Sequence, residues 1–184
     1  MTSGLVDYSG ELDADLSIGD FSKDVLVELL KLYSRLFLAI DGFWYLAIKQ
    51  RTGDDEALAC DMWAWEKEVR YEMRRLAKLL RIEGSDVTTL MKALQMTPWF
   101  QNVTYRIQTA GRSRALLTIT DCPVLEALER EGEGREKTIC RVMDTLVFKK
   151  YAEFFNPDIE VRHLKLPPRE SQQDICCQWE FRLP

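Results

Sequence analysis

The spacing of apolar residues changes period once along this chain, at Pro98. Between Ser22 and Pro98 the apolar side chains recur every three or four residues, which is the spacing of amphipathic helices. After Pro98 the period falls to two, as in half-buried strands, and Val103, Tyr105 and Ile107 are the first to alternate. Helices followed by strands and further helices predict an α+β fold.

Three helices are predicted before Pro98, because each apolar run has a capping residue and a stop signal. We expect them over residues 22–51, 54–84 and 85–97. In the second half, the pattern of apolar residues predicts two strands joined by a turn at 110–113, then a short helix after Pro123 and a longer helix over 136–156. Strands at 159–166 and 175–183 close the chain. This ββααββ unit predicts an antiparallel four-stranded sheet on which the three-helix segment packs.

We expect three regions along the chain. Residues 1–20 carry five acidic and no basic side chains and predict a flexible acidic arm. Residues 21–97 form a helical subdomain, and residues 98–184 form an α+β subdomain that contains the sheet. Both subdomains leave a large apolar face that needs cover, so we expect them to pack together.

The charge and the cysteine content of the chain limit the partners and the compartment that we expect for it. Thirty acidic and 25 basic residues give a net charge of −5, which disfavours nucleic acid as a partner. The acidic start lacks the positive region of a signal peptide. Apolar residues 36–48 are interrupted by Asp41 and are too short to span a membrane. Five cysteines, an odd number, fit a reducing compartment, so we predict a cytoplasmic protein without a membrane partner.

The C-terminal half contains the soft ligand atoms that thiophilic metals prefer. Cys122, Cys140, Cys177 and His163 lie at the ends of predicted elements or within strands. Zinc or another thiophilic metal takes about four such ligands in tetrahedral array. These four residues are therefore a candidate metal site. The alternative is that the cysteines are small apolar residues of the core and that His163 is a half-exposed strand residue.

A catalytic interpretation uses some of the same residues. Cys140 lies near the start of the long helix, where the helix dipole lowers a thiol pKa. Glu126, four residues after Cys122, could move protons beside the thiols. The chain has no glycine-rich phosphate loop and no nucleophile elbow, and His163 is its single histidine. The alternative for Glu126 is a solvated helix position among other acids.

Three residues are candidates for a ligand pocket. Asp41 stands inside an apolar run, so its carboxyl needs a partner, a polar cavity or solvent. Trp44 and Trp99 belong to an aromatic set that could form pocket walls. The alternative is that these rings belong to the core.

Several strings resemble a known family. They are residues 38–44 (LAIDGFW), the Pro98-Trp-Phe segment, the Thr120-Asp-Cys122-Pro turn, Cys140 at its helix start, and Cys177-Gln-Trp-Glu-Phe181. Together they resemble a family of prokaryotic cytosolic proteins of unknown function over nearly the whole chain. The C-terminal half is similar, more distantly, to L-2-amino-thiazoline-4-carboxylate hydrolase-like and 4-vinyl reductase-like domains. The first of these implies a hydrolase that opens a thiazoline ring, and the second implies a module that binds small molecules.

The residues of this chain that match the pattern of the family, residue by residue, are Cys122, Cys140, Cys177, Asp41 and Trp44. Members of the family have a further cysteine near the end of the penultimate strand, where this chain has residues 164–166 (LKL).

Three functions follow as hypotheses. The leading one is binding of a small molecule or a thiophilic metal between the helical cap and the sheet. An alternative is a cysteine- or metal-dependent hydrolase of a small cyclic amide or thiazoline. A third is an interaction protein that self-associates through the wide apolar stripe between Leu26 and Trp44.

Overall fold

The computed structural model describes residues 4–184, and it confirms the α+β fold class. Five α-helices and four strands follow in the predicted order. The helices are α1 (Lys23–Thr52), α2 (Asp54–Leu80), α3 (Val87–Leu94), α4 (Pro123–Glu131) and α5 (Glu136–Phe155). The strands are β1 (Thr104–Ala110), β2 (Arg114–Asp121), β3 (Glu160–Lys165) and β4 (Cys177–Arg182). Short 3-10 helices at Ile18–Asp20 and Trp99–Asn102 precede α1 and β1.

The helix ends have local causes. The Ser22 hydroxyl accepts the Val25 N–H at 3.4 Å at the start of α1, and the Asp86 carboxylate accepts the Thr89 N–H at 2.8 Å at the start of α3. The second helix ends before Gly84, the predicted stop. Arg81 takes a left-handed conformation, with φ of 52°, and ends α2 at Leu80. The α-helical segment is therefore shorter than the apolar pattern indicated.

The four strands form one antiparallel sheet in the order β1-β2-β4-β3. Leu117 of β2 pairs with Trp179 of β4, and Ile119 pairs with Cys177. Opposed residues of an antiparallel pair point to the same face, so all four side chains face one side. That side is buried. The parity of the last strand is as predicted from its alternation.

The core lies between this sheet face and α5, and the N-terminal helices contribute to it. The Phe148 ring on α5 lies 5.0 Å from the Trp179 ring and 5.7 Å from the Phe181 ring. Val69 and Met73 of α2 belong to the same cluster of buried residues. One core therefore extends across Pro98.

The longest helix, α1, packs on α2 along one side only. Rings of Phe37 on α1 and Trp65 on α2 meet edge to face, 5.9 Å apart. A second side of α1 lines a cleft, and a third side is open to solvent. None of the helices within residues 4–184 combines the length and apolar composition needed to cross a bilayer.

The segment before α1 folds back on itself. The Leu5 N–H donates to the Asp20 carbonyl and the Ser22 N–H donates to the Leu5 carbonyl, both at 2.8 Å. The predicted flexible arm covers residues 1–20, and its first three residues lie outside the described part of the chain.

Candidate functional site

A cleft of about 1040 Å³ separates α1 from α4 and the first turn of α5. Asp61 of α2 and the 3-10 helical residues Gln101 and Asn102 complete its wall. Its lining is mainly apolar and includes Leu38, Leu46, Val124, Leu128 and Ile139. Clefts of this size and composition are typical of small-molecule sites.

Two carboxyl groups line the cleft, Asp41 from α1 and Asp61 from α2. Burial raises the pKa of Asp41, and hydrogen bonding to Trp65 partly opposes this. Burial and then the charge of Asp41 raise the pKa of Asp61 to about 7, again with Trp65 acting in the other direction. Near neutral pH, Asp61 is therefore partly protonated.

One end of the cleft is closed by an ion-pair network centred on Arg135, whose side chain is only 10% exposed. Its guanidinium lies 2.9 Å from the Asp54 carboxylate and 2.6 Å from the Glu131 carboxylate. It also lies 4.5 Å from the centre of the Tyr45 ring, a cation–π distance. The Tyr45 hydroxyl donates to Asp54 at 3.0 Å. The network holds α1 and α2 against the start of α5.

Lys49 extends this network through a second pair of ion contacts. Its ammonium lies 2.7 Å from Glu131 and 2.6 Å from Glu133. Glu131 is the last residue of α4, and Glu133 follows the helix. The two ion pairs therefore join the C-terminal turn of α1 to the segment between α4 and α5. Asp41 and Asp61 lie outside this network.

Cys122, Cys140 and Cys177 lie together in the core, away from solvent. Cys122 caps α4, and its sulfur accepts the Leu125 N–H at 3.5 Å. Burial raises the pKa of Cys122 to about 12 and also raises the pKa of Cys140 and of Cys177. The neighbouring Asp144 raises the pKa of all three thiols further. The fold thus brings the three predicted thiols near one another.

Asp144 is the acid of this cluster. Burial raises its pKa to about 7. Protein surrounds it, yet part of its surface remains accessible because it faces a small cavity of about 50 Å³. Trp99 lines the same cavity, so this predicted pocket residue lies at the thiol side of the core and not in the large cleft.

The raised pKa values keep the three thiols protonated at neutral pH. For Cys140 this differs from the expectation that the helix dipole lowers its pKa. Cys140 lies in the second turn of α5, where burial outweighs the helix dipole. Asp144, one turn later, and Glu136, one turn earlier, add negative charge that disfavours a thiolate. Within residues 4–184, no three His, Cys, Asp or Glu side chains converge closely enough to hold a metal ion. The zinc hypothesis stays a prediction.

The remaining predicted residues are dispersed. His163 is exposed on β3, with its ring 5.7 Å from the Trp179 ring. Trp44 is 65% exposed on the open side of α1. Glu126 is exposed and lines a separate groove with Arg169. Among the predicted ligand-pocket residues, Asp41 is the one that lines the cleft.

Sequence reasoning missed Asp61, Arg135 and Asp144. Asp61 lies four residues before Trp65 on the helix face that is buried, so an acid on an apolar stripe was the available signal. Asp144 follows Cys140 by four residues, which places both on one face of α5. Arg135 gave no signal, because its partners come from three separate parts of the chain.

These features define an α+β protein with a ligand-sized cleft beneath a helical hairpin and a buried thiol cluster beneath the sheet. A family of unknown function, DUF6125, matches residues 19–183, and the chain belongs to this family. This confirms the coarser part of the prediction, that the chain belongs to a family of unknown function. No curated protein and no solved structure matches the chain. The similarity to thiazoline hydrolase-like and vinyl reductase-like domains stays a prediction.

Proposed function

We propose that this protein binds a small molecule that has an apolar body and one positively charged group, in the cleft between α1, α4 and α5. The observation that carries the proposal is the pair Asp41 and Asp61 in a mainly apolar cleft of about 1040 Å³. An apolar cleft favours an apolar ligand body, and a few placed polar groups fix its orientation.

The charge of the acid pair is not compensated by the described part of the protein. No Lys or Arg contributes to the pKa of Asp41 or Asp61. Arg135, which also lines the cleft, is held by Asp54 and Glu131. An ammonium or amidinium group beside the two carboxyls would supply the missing positive charge.

Three further basic side chains, Lys31, Arg35 and Arg130, line the cleft at its rim, and the Lys31 ammonium is paired with the Glu28 carboxylate at 2.7 Å. Arg35 donates from Nε to the Lys31 carbonyl at 3.4 Å, and Arg130 donates from Nε to the Glu126 carbonyl at 3.2 Å. Both side chains are exposed, so water and salt screen their charge from the interior of the cleft. They do not cancel the preference of the acid pair for a cation.

Gly42 supports the same proposal. It lies in the middle of α1 and lines the cleft beside Asp41. Glycine in a helix interior costs about 1 kcal/mol relative to alanine. A Cβ at this position would meet no atom within 4 Å, so packing within the protein does not require glycine. The cleft is therefore open at this point of α1, which leaves room for a ligand against the helix.

The pKa of Asp61 predicts how affinity depends on pH. In the free protein this carboxyl loses its proton near pH 7. A bound cation favours the ionised form, so the cation binds more tightly as Asp61 ionises. Affinity therefore rises from pH 5 to pH 7 and levels off above about pH 8.

Dansylcadaverine, a fluorescent primary amine with an aromatic body, is a suitable probe. N-acetylated dansylcadaverine is its neutral counterpart. We expect the amine to bind at pH 8 at least 10-fold more tightly than the acetylated compound, as one charge-assisted hydrogen bond contributes about 1.5–3 kcal/mol. Asp61→Asn should weaken the amine about 10-fold and leave the neutral compound unchanged.

The control is the double variant Glu28→Gln/Lys31→Gln, which removes an exposed ion pair from the rim of the same cleft and leaves the net charge there unchanged. It should bind the amine as the unmodified protein does. Equal affinity for both probes, or an effect of the double variant as large as that of Asp61→Asn, would contradict recognition by the acid pair. Absence of binding of either probe at millimolar concentration would contradict the proposal as a whole.

A further inference from the structure

The open side of α1 is apolar over about three turns. We call this surface the outer face, and it consists of Tyr33, Leu36, Ile40, Phe43 and Trp44. Each of these side chains is between 53% and 67% exposed. No Asp, Glu, Lys or Arg belongs to it. Monomeric proteins rarely expose a continuous apolar surface larger than a few hundred Å².

The spacing of the outer face is that of a helix–helix seam. Within the outer face, positions 33, 36, 40 and 43 follow at intervals of three, four and three residues. Alternation of three and four is the heptad pattern, which keeps one stripe of a helix facing a neighbouring helix along its length. The side of α1 that packs on α2 uses other residues, Phe37 and Tyr45 among them. The outer face is thus a second seam with no helix against it in the monomer.

We propose that a second copy of this chain covers the outer face, so that two α1 helices pack against each other in a two-fold dimer. The apolar area that the outer face exposes approaches the area that a stable dimer buries on each partner. An aromatic side chain has about 150–250 Å² of surface, so each of the three rings offers about 80–170 Å². With Leu36, Ile40 and the flanking Leu32, the exposed apolar area reaches roughly 450–800 Å². A standard interface needs about 800 Å² from each partner.

Charge and symmetry favour a second copy over other occupants. The protein carries a net charge of −5, which opposes attraction to an anionic lipid surface. A two-fold dimer uses the same patch on both subunits, so an uncharged stripe meets an uncharged stripe and no charge is buried without a partner. The dimer also leaves the cleft free, because the cleft lies on a different side of α1 from the outer face.

Sedimentation velocity of the full chain between 1 and 100 µM tests this proposal. We expect a mass of twice 21.5 kDa, which falls toward 21.5 kDa on dilution. Ile40→Glu places a charge in the middle of the seam and should weaken association at least 100-fold. Leu79→Glu is the control, because Leu79 is 78% exposed near the end of α2 and outside the outer face. It should dimerise like the unmodified protein.

Circular dichroism of each variant checks that the helices remain. A second variant, Phe43→Arg, should give the same monomer if the seam is the interface. A monomer at 100 µM, oligomers larger than a dimer, or a dimer that survives both substitutions would overturn the proposal. Flotation of the monomer with neutral phosphatidylcholine vesicles, lost in Ile40→Glu, would also overturn it and assign the outer face to lipid.

Discussion

Asp41 on α1 and Asp61 on α2 line the same cleft, and burial together with the charge of Asp41 raises the pKa of Asp61 to about 7. Both residues line the cleft, and no basic side chain of the described chain shifts either pKa. Such a pair stores electrostatic free energy that a bound cation would release.

The first prediction concerns stability against pH. A carboxyl whose pKa is about 7 when folded and about 4 when unfolded keeps its proton longer in the folded state. Between these values the folded state binds more protons, so the free energy of unfolding falls as pH rises. We expect Asp61→Asn to become more stable relative to the unmodified protein by about 2–3 kcal/mol between pH 5 and pH 8.

Urea denaturation at both pH values measures this difference. The exposed Asp158→Asn provides the control and should show no such trend. A difference between Asp61→Asn and the unmodified protein that does not change with pH would mean that Asp61 ionises normally in the folded state.

The second prediction concerns the joint between α2 and α5. Burial raises the pKa of the Glu72 carboxyl to about 7. The Tyr151 hydroxyl donates a hydrogen bond to this carboxyl at 2.7 Å, and this bond opposes the rise in pKa. Tyr151→Phe leaves this carboxyl without its donor, so we expect a loss of about 1–3 kcal/mol, larger at pH 8 than at pH 5. Tyr71→Phe on the exposed side of α2 should cost almost nothing. Equal losses in thermal or urea unfolding would contradict the importance of this bond.

The third prediction concerns the thiols. Four cysteines are buried and Cys60 is half-buried, so a disulfide reagent should modify Cys60 first and all five only after denaturation. Cys60→Ser should remove the early phase. Rapid modification of Cys140 in the native protein would contradict its raised pKa and support the hydrolase alternative. Thiols that become reactive only after treatment with a chelator would support the metal alternative.

The fourth prediction concerns the closed end of the cleft. Arg135→Gln removes the cation that faces Asp54, Glu131 and the Tyr45 ring. Because the side chain is 10% exposed, we expect a loss of about 1–3 kcal/mol and a weaker attachment of α1. Arg141→Gln, an exposed change on α5, is the comparison. Similar unfolding midpoints for both variants would show that the network contributes little.

The sequence predicted the fold well because hydrophobic period and stop signals are local properties. The change of period at Pro98 separates the two halves, and Ser22 and Gly53 bound α1 as expected. The early end of α2 at Leu80 was not predictable, because it depends on Arg81 taking a left-handed conformation that few non-glycine residues adopt.

The site was less predictable, because it depends on which side of each helix finds a neighbour. Asp41 and Trp44 are three residues apart on α1, and a wide apolar stripe does not indicate that one faces the cleft and the other solvent. The order of the elements allowed the expectation that the thiols could come together, and in the structure all three belong to one core. Their protonation depends on burial beside Asp144, which no spacing rule indicates.

The central claim is that the cleft binds a small cationic molecule, and a comparison of two variants at one position tests it most directly. Gly42→Trp fills the cleft wall, whereas Gly42→Ala adds only a Cβ that meets no atom within 4 Å. Fluorescence titration of dansylcadaverine at pH 8 should give binding to the unmodified protein and to Gly42→Ala and none to Gly42→Trp. Equal affinity of all three proteins would contradict the account, because the amine would then bind outside the cleft.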